Sequence, residues 1–580
     1  MCGIFALLNN VYFSKADIQK EFEKGKHRGP EFSKLTNDII RKADIGFHRL
    51  SINGLNEASN QPLVIDDIVL ICNGEIYNYK ELYKTMNVTP TTGSDCEVII
   101  HLFLRYGIEQ TLFMLDGVFA FVLFDNRPIT DISITTKIYM ARDPYGVRPL
   151  YQLTSDNMKP SFYGFASELK CLSGICNTLL QKDEYIEANI RQFEPGSYSV
   201  FEMSNIVNAT WRPLRENIKF FIPTLPHSFM VLTDIYKTIA KYLNDAVCKR
   251  CATTERPIAC LLSGGLDSSL ITALVDNYYH MQGLPNKLET YSIGLKGSED
   301  LKYARIVADY LGTNHTEVIV TEKEMFDAIP DVIRDIESYD TTSVRASIGN
   351  YLLGKYISKH SEAKVIFNGD GSDELLGGYL YMNKCPDDIE FDKETRRLLK
   401  DIHMFDVLRS DKCISSHGLE PRTPFLDRTF TNFILSIPPY FRNHNNNRNC
   451  EKYLLRKSFD SDNFVNCKGK PLLPPGILWR KKEAFSDGVT SQGRSLYQIL
   501  QEHIGFHLTA EKESIKFTPC IETEKYYYKK LFNEYYPNCS TILPYFWMPK
   551  YIDAKDPSAR TLEFYKDNEN IQDDLIIHNL

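Results

Sequence analysis

Residues 258–269 constrain this chain more than any other stretch. The apolar run Ile258-Ala259-Cys260-Leu261-Leu262 leads into Ser263-Gly264-Gly265-Leu266-Asp267-Ser268, and Ser269-Leu270-Ile271-Thr272-Ala273-Leu274 follows with helical character. That order predicts a strand, a tight glycine turn and a helix. Such a turn gathers bare backbone N–H groups and the positive end of a helix dipole at one point, which suits an anion. No Lys follows the glycines, so this is not the G-x-x-x-x-G-K-[ST] loop that grips a γ-phosphate. The same letters also describe a plain glycine turn capped by Ser or Asp, and the choice between the two falls to the rest of the chain.

Downstream, Glu289–Leu295, His315–Val320 and Lys364–Phe367 read as further buried strands. A helix over Asp300–Leu311 ends at Gly312, and another over Asp234–Val247 precedes the glycine turn. Strands alternating with helices predict a doubly wound parallel sheet with ligands at the strand C-termini. Two polar clusters follow such strands. One is Glu337-Ser338-Tyr339-Asp340-Thr341-Thr342-Ser343-Val344-Arg345. The other, Asn368-Gly369-Asp370-Gly371-Ser372-Asp373-Glu374, is too short and wrongly spaced for an EF-hand.

The chain has 580 residues, too many for one core, so two or more domains are expected. Hydrophobic content of 43% and charged content of 24% fit a soluble globular protein, and a net charge of −8 argues against a general nucleic-acid binder. Fourteen Cys without a secretory signal point to reduced thiols in the cytosol. No apolar run approaches the roughly 18 residues that a membrane-spanning helix needs. Cys248 and Cys251 form a C-x-x-C without a second pair at zinc spacing, and they read as ordinary cysteines on a helix. The Asn-rich stretch 443–449 reads as a polar loop.

Cys2 directly follows the initiator Met. With Met1 removed, it carries a thiol and a free α-amine whose reference pKa is about 7.7–8, so nucleophile and base share one residue. Further motifs follow in order: His27-Arg28-Gly29-Pro30, His48-Arg49-Leu50-Ser51-Ile52, Asn73-Gly74-Glu75-Ile76-Tyr77-Asn78, Gly93-Ser94-Asp95-Cys96-Glu97, Ala141-Arg142-Asp143-Pro144-Tyr145-Gly146 and Ala166-Ser167-Glu168-Leu169-Lys170. Together with Met1-Cys2-Gly3-Ile4, they resemble the N-terminal-nucleophile (class II) glutamine amidotransferase domain. Short β runs between them fit stacked antiparallel sheets, and the resemblance implies an α-β-β-α sandwich. It also implies a glutamine site. Arg49 would pair the substrate carboxylate with its planar fork and Asp95 would pair the ammonium. Leu50, Ser51, Ile52 and Glu75 would line the pocket. The Asn73 side chain and the Gly74 N–H would hold the oxyanion when Cys2 attacks the amide.

The S-G-G-x-D-S turn resembles the pyrophosphate loop of ATP-dependent adenylating enzymes. Glu420–Asp427, Glu451–Arg456 and Trp479–Val489 add further motifs. With them, the chain from Cys2 to about Trp547 resembles the glutamine-hydrolysing asparagine synthetase family of the bacterial and eukaryotic B type. That likeness implies ATP on Leu262, Ser263, Gly264, Gly265, Asp267 and Ser268, with its adenosine against Leu262, Ile293, Asn368 and Gly369. Mg²⁺ would be held by Asp267 and Asp373. Aspartate would lie near Thr342 and Arg345, and Arg345 and Lys482 would offset charge on the phosphorus and the leaving group. Asp370 would assist the attack of ammonia, delivered through an internal channel. A cytoplasmic homodimer is implied as well. Three positions depart from the family pattern: Asn368 and Ser343 replace Ser and Thr, and Asp370 replaces Glu. The expected organisation is a glutaminase domain over 2–200, a linker over 203–228, an adenylating domain over 229–555 and a polar tail over 556–580.

A sugar-phosphate or phosphoribosyl transferase would share the first 200 residues and lack the Ser263–Ser268 loop. A β-lactam-forming relative would lose Cys2. A non-catalytic protein on the same fold would show eroded site residues, and only the three replacements stand out.

Overall fold

The computed structural model describes residues 1–562 except 128–134, 183–184, 205, 207, 227–229, 447–449, 481, 483–487, 491–493 and 512–516. Twelve strands build its N-terminal part: β1 Gly3–Leu8, β2 Phe32–Thr36, β3 Ala43–Arg49, β4 Leu63–Ile65, β5 Ile68–Ile76, β6 Gly117–Asp125, β7 Thr135–Arg142, β8 Tyr151–Ser155, β9 Phe162–Ala166, β10 Asn189–Gln192, β11 Ser197–Ser204 and β12 Arg212–Lys219. They form two six-stranded antiparallel sheets, ordered β10-β8-β9-β1-β3-β2 and β12-β11-β7-β6-β5-β4.

The period-2 geometry of a strand explains how these sheets stack. On β1, Ile4, Ala6 and Leu8 pack with Val69 and Ile71 of β5 and with Ala120, Val122 and Phe124 of β6, between the two sheets. Phe5 and Leu7 point the other way, against Ile18 and Phe22 of helix Lys15–Glu23 and Leu172 and Ile175 of helix Lys170–Lys182. Across the second sheet, Leu70, Cys72, Phe121 and Leu123 meet Ile99, Leu102 and Phe103 of helix Val98–Met114. Strands buried on both faces read as continuous apolar runs rather than alternating ones. The result is the expected α-β-β-α sandwich.

Five strands follow: β13 Ile258–Leu261, β14 Glu289–Leu295, β15 Asn314–Val320, β16 Val365–Phe367 and β17 Glu420–Arg422. They form a wholly parallel sheet ordered β15-β14-β13-β16-β17. Ile258 and Cys260 face helices Leu232–Ala252 and Leu266–Met281, whereas Ala259 and Leu261 face helices Ile329–Ile336 and Thr341–His360. The sheet is therefore doubly wound, and strand order reverses between β13 and β16. That reversal opens a crevice at the strand C-termini.

Two expectations are corrected. The segment 203–228, read as a linker, contains β12, which pairs antiparallel with β11. Nearly every residue of β12 is exposed, so no hydrophobic alternation marks it. The polar tail expected from residue 556 starts inside the packed structure, because Asp556 is buried beside Arg345 and Gln501. β17 went unseen because it is three residues long and holds Pro421, which an edge strand tolerates.

Candidate active sites

The first candidate site lies where β1 begins. Cys2 Sγ donates to the Leu50 carbonyl at 3.7 Å, and Arg28 Nε donates to the Cys2 carbonyl at 2.9 Å. Burial pushes the Cys2 thiol up to about 11, so it rests protonated and needs a base to become a nucleophile. Burial brings the amine at the start of the chain, here that of Met1, down to about 6.

Asn73 and Gly74 sit on β5, between β6 and the edge strand β4. Asn73 Nδ2 lies 3.5 Å from Ser167 Oγ, which also accepts from the Ile4 N–H at 3.1 Å. A Cβ on Gly74 would meet the Val118 carbonyl at 2.5 Å, so only glycine fits where β5 and β6 press together. Arg49 ends β3. Its guanidinium is buried and donates to the carbonyls of Asn53 (3.1 Å), Gly54 and Asn56 (3.0 Å) and to Asn60 Oδ1 (2.7 Å). The loop after Ile52 thus fixes its direction. The Ser51 N–H is held by Glu31, and Asn53 Nδ2 donates to Glu75. Asp95 accepts from the Ile76 N–H at 2.7 Å, and burial still raises its carboxyl to about 6. Burial and the neighbouring Asp95 raise Glu75 as well. Two crowded carboxyls make a pocket that an ammonium would relieve. Cys2 and Asp95 act electrostatically on Arg49, so these groups share one site. Asn53, Glu31 and Ser167 had no role in the sequence reading, although Ser167 stood in a quoted motif.

The second candidate site is a cavity of about 230 Å³ at the β13/β16 reversal. Leu262, Ser263, Gly265, Asp267, Ser268, Ile293, Thr342, Asn368, Gly369, Asp370, Asp373 and Lys482 all line it. Gly264 does not. Its φ is +74°, and a Cβ there would meet the Ala304 N at 2.4 Å, so glycine lets the turn pass against helix Glu299–Leu311. Ser263 Oγ and Ser268 Oγ lie 3.0 Å apart and close the loop. Gly369 packs on the same loop: its Cβ position lies 2.9 Å from the Ser268 N.

Asp267 and Asp373 converge on one ammonium. Lys452 Nζ is 2.6 Å from Asp267 Oδ2 and 2.5 Å from Asp373 Oδ1, Ser372 donates to Asp267, and Lys482 pairs with Asp373. Burial alone would raise the Asp373 carboxyl, but Lys452 and Lys482 outweigh it and hold it well below the usual carboxylate range. Two hard oxygen donors aimed at one cation suit Mg²⁺, which takes one or two protein carboxylates beside substrate phosphates.

Asp370 Oδ1 is 3.3 Å from Arg409 Nη2, and Oδ2 is buried without a hydrogen-bond partner among the described residues. Around it, burial raises Asp406 to about 6, and burial with Asp406 and Asp373 raises Glu374 well above its ordinary value. Lys452, Arg409 and Asp406 were missed as site residues. Only Lys452 lay in a quoted motif.

Arg345 is not brought to the cavity. Its guanidinium is buried between Glu524 (2.8 and 2.6 Å) and Asp556 (2.7 and 2.8 Å). The two partners lie 179 and 211 residues away along the chain, so no local pattern announces them. Ser343 donates through both N–H and Oγ to Asp340 at 2.8 Å, capping the helix that carries Thr342. Residues 481 and 483–487 of the Trp479–Val489 motif lie outside the described residues.

Two family profiles match the chain. The asparagine synthase family profile matches residues 238–389 and 383–542, and that of the glutamine amidotransferase domain matches residues 1–212. A protein of Gallus gallus named asparagine synthetase [glutamine-hydrolyzing] is 40% identical over 98% of this chain and 99% of its own length. One of the same name from Pongo abelii is 38% identical over the same shares. The solved structure of glutamine-dependent NAD⁺ synthetase from Acinetobacter baumannii superposes with a TM-score of 0.23 at 15% identity, covering 59% of this chain and 50% of that one, which is too weak to argue from.

Proposed function

The chain belongs to the glutamine-hydrolysing asparagine synthetase family, and we propose that its two sites divide one reaction between them. It is a ligase that converts L-aspartate, L-glutamine, ATP and water to L-asparagine, L-glutamate, AMP and diphosphate. The observation that carries the division of labour is the pairing, on one chain, of a half-buried N-terminal thiol with a separate cavity floored by the Ser263–Ser268 loop.

At the first site, removal of Met1 gives Cys2 the free α-amine. That amine takes the thiol proton, Sγ attacks the glutamine amide carbon, and the oxyanion forms against Asn73 Nδ2 and the Gly74 N–H. The proton passes to the leaving nitrogen, ammonia departs, and water hydrolyses the γ-glutamyl thioester. Arg49 holds the substrate α-carboxylate, and Asp95 with Glu75 holds the α-ammonium.

At the second site, the Ser263–Ser268 loop cradles the ATP phosphates, with Leu262, Ile293, Asn368 and Gly369 against the adenosine. The aspartate β-carboxylate, held near Thr342, attacks the α-phosphorus and diphosphate leaves. Lys482 and Lys452 offset the charge that builds there. Asp267 and Asp373 would hold Mg²⁺, which when bound neutralises charge on the phosphates. Ammonia then attacks the β-aspartyl carbon of the acyl-adenylate, AMP leaves, and Asp370 takes the surplus proton. An internal channel would keep ammonia from protonation by bulk water. Arg345 serves this site by anchoring the Thr342 helix to Glu524 and Asp556 rather than by touching substrate. A cytoplasmic homodimer remains an expectation of family likeness.

The test mixes purified protein with glutamine, aspartate, ATP and Mg²⁺. Asparagine, AMP and diphosphate should form in equal amounts. A nucleotide product of ADP and phosphate, or no asparagine from either glutamine or ammonium, would refute the assignment.

A further inference from the structure

One ten-residue helix, Asp406–Ser415, touches both sites through adjacent turns. On the synthetase side, Asp406 Oδ2 accepts from the Gly371 N–H at 3.3 Å. Arg409 stands 3.3 Å from Asp370, and Ser410 Oγ accepts from Asn368 Nδ2 at 2.8 Å. The helix thereby holds three positions of the Asn368–Gly371 turn. On the glutaminase side, Asp411 Oδ2 and Ser415 Oγ accept from Arg28 Nη1 at 2.8 and 2.9 Å, and the same guanidinium donates to the Cys2 carbonyl.

Lys412 is the joint between the two halves. It is 1% exposed and pairs with Glu168 at 3.2 Å and with Glu337. Glu168 directly follows Ser167, the hydroxyl that bonds Ile4 and Asn73. Glu337 reaches into the N-terminal domain and accepts from the Leu169 and Lys170 N–H groups at 2.7 and 2.9 Å. It does so with a left-handed φ of +58°, a strained setting for a non-glycine residue. Three residues later Asp340 caps the helix that carries Thr342. One ammonium therefore ties the segment behind Asn73 to the segment that opens the Thr342 helix. Its own helix carries Arg409 to Asp370. These charges are buried and mutually paired, so moving one without the others would strand a charge in low dielectric. Such a cluster moves as a unit or not at all.

We propose that helix Asp406–Ser415 couples the two half-reactions, with Lys412 as the positioning residue that makes glutamine hydrolysis answer to the state of the synthetase site. This rests on the two-site reading above. Neither Lys412 nor Glu337 touches substrate in that reading, so their loss should uncouple the sites rather than silence them.

The experiment uses the full chain as parent, Lys412→Met, Lys412→Arg and Glu337→Gln. It reads the ratio of asparagine to glutamate formed from glutamine, together with each half-reaction alone: glutaminase without ATP, and synthesis from ammonium. In Lys412→Met the ratio should fall by about fivefold or more, the low end for coupling between distinct sites. Both half-reactions should stay near parental, and Lys412→Arg should recover the ratio. If Lys412→Met does not fold, the milder Glu337→Gln carries the same expectation. An unchanged ratio, or an equal loss of both half-reactions in a folded variant, would overturn the coupling. A parent that makes no asparagine at all would instead overturn the assigned reaction.

Discussion

Replacing Asp370 is the sharpest perturbation of the synthetase site. The family pattern has Glu here, and Asp is shorter by one methylene, about 1.5 Å by ordinary bond geometry. The structure compensates from the backbone side: Gly369 lies directly on the Ser263–Ser268 loop, which brings the turn close to where an acyl-adenylate would form. Arg409 holds Oδ1, and Oδ2 is buried without a hydrogen-bond partner among the described residues. An oxygen in that state is free to take a proton from attacking ammonia, directly or through one water. Removing a positioned acid–base group costs about 10²–10⁴ in rate. Asp370→Ala should therefore lose at least about 10²-fold in ammonium-dependent asparagine formation, as the low end of that range requires. Asp370→Asn keeps the volume, cannot take the proton, and should fall as far. Asp370→Glu restores the family's reach and should stay within about tenfold, less than the loss of the group itself. The assay measures asparagine by amino-acid analysis, diphosphate release in parallel, and glutaminase activity as a control that should not change. Near-parental synthesis by Asp370→Asn would remove Asp370 from proton transfer and reduce it to a residue that orders the turn.

The other predictions concern separate parts of the chain. Cys2→Ala should abolish glutaminase activity and glutamine-dependent synthesis while sparing synthesis from ammonium. Loss of the ammonium reaction in folded protein would contradict the two-site reading. Arg49→Ala should sharply raise KM for glutamine and leave KM for aspartate nearly unchanged, and Arg49→Lys should not rescue it fully because an ammonium cannot make paired bonds. Asp95, raised to about 6 by burial, becomes neutral as pH falls through that value. In Cys2→Ala protein, where no chemistry intervenes, calorimetric Kd for glutamine should be flat above pH 7 and should weaken about tenfold per pH unit well below 6. A pH-independent Kd down to pH 5 would remove Asp95 from the ammonium site. Arg345→Ala leaves Glu524 and Asp556 buried without their cation. It should cost about 3–5 kcal/mol in urea unfolding, the usual penalty for half of a buried ion pair. Full stability with lost aspartate affinity would restore Arg345 as a substrate ligand.

Local chemistry was legible in the sequence wherever a site residue sits at the end of a strand that names itself. The Ser263–Ser268 loop follows an apolar run, and Asn73-Gly74 lies within one. Cys2 behind Met1 became readable through the motifs that follow it in order, from His27-Arg28-Gly29-Pro30 to Ala166-Ser167-Glu168-Leu169-Lys170. The alternation of strands and helices after residue 258 was enough to predict a parallel sheet, because each apolar run is short and helical stretches separate the runs. Other features depended on the tertiary structure, because their partners lie far apart along the chain. Arg345 looked like a substrate ligand until Glu524 and Asp556 folded onto it. Lys452 was one basic residue in a motif until it met two carboxylates, 185 residues away at Asp267 and on the turn at Asp373. β12 is exposed on nearly all of its length and leaves no hydrophobic period to read. The strength of a buried charge depends on what surrounds it. Pattern along a chain records which face of an element is dry, whereas the pairing of charges inside is settled only when distant segments are packed together in low dielectric.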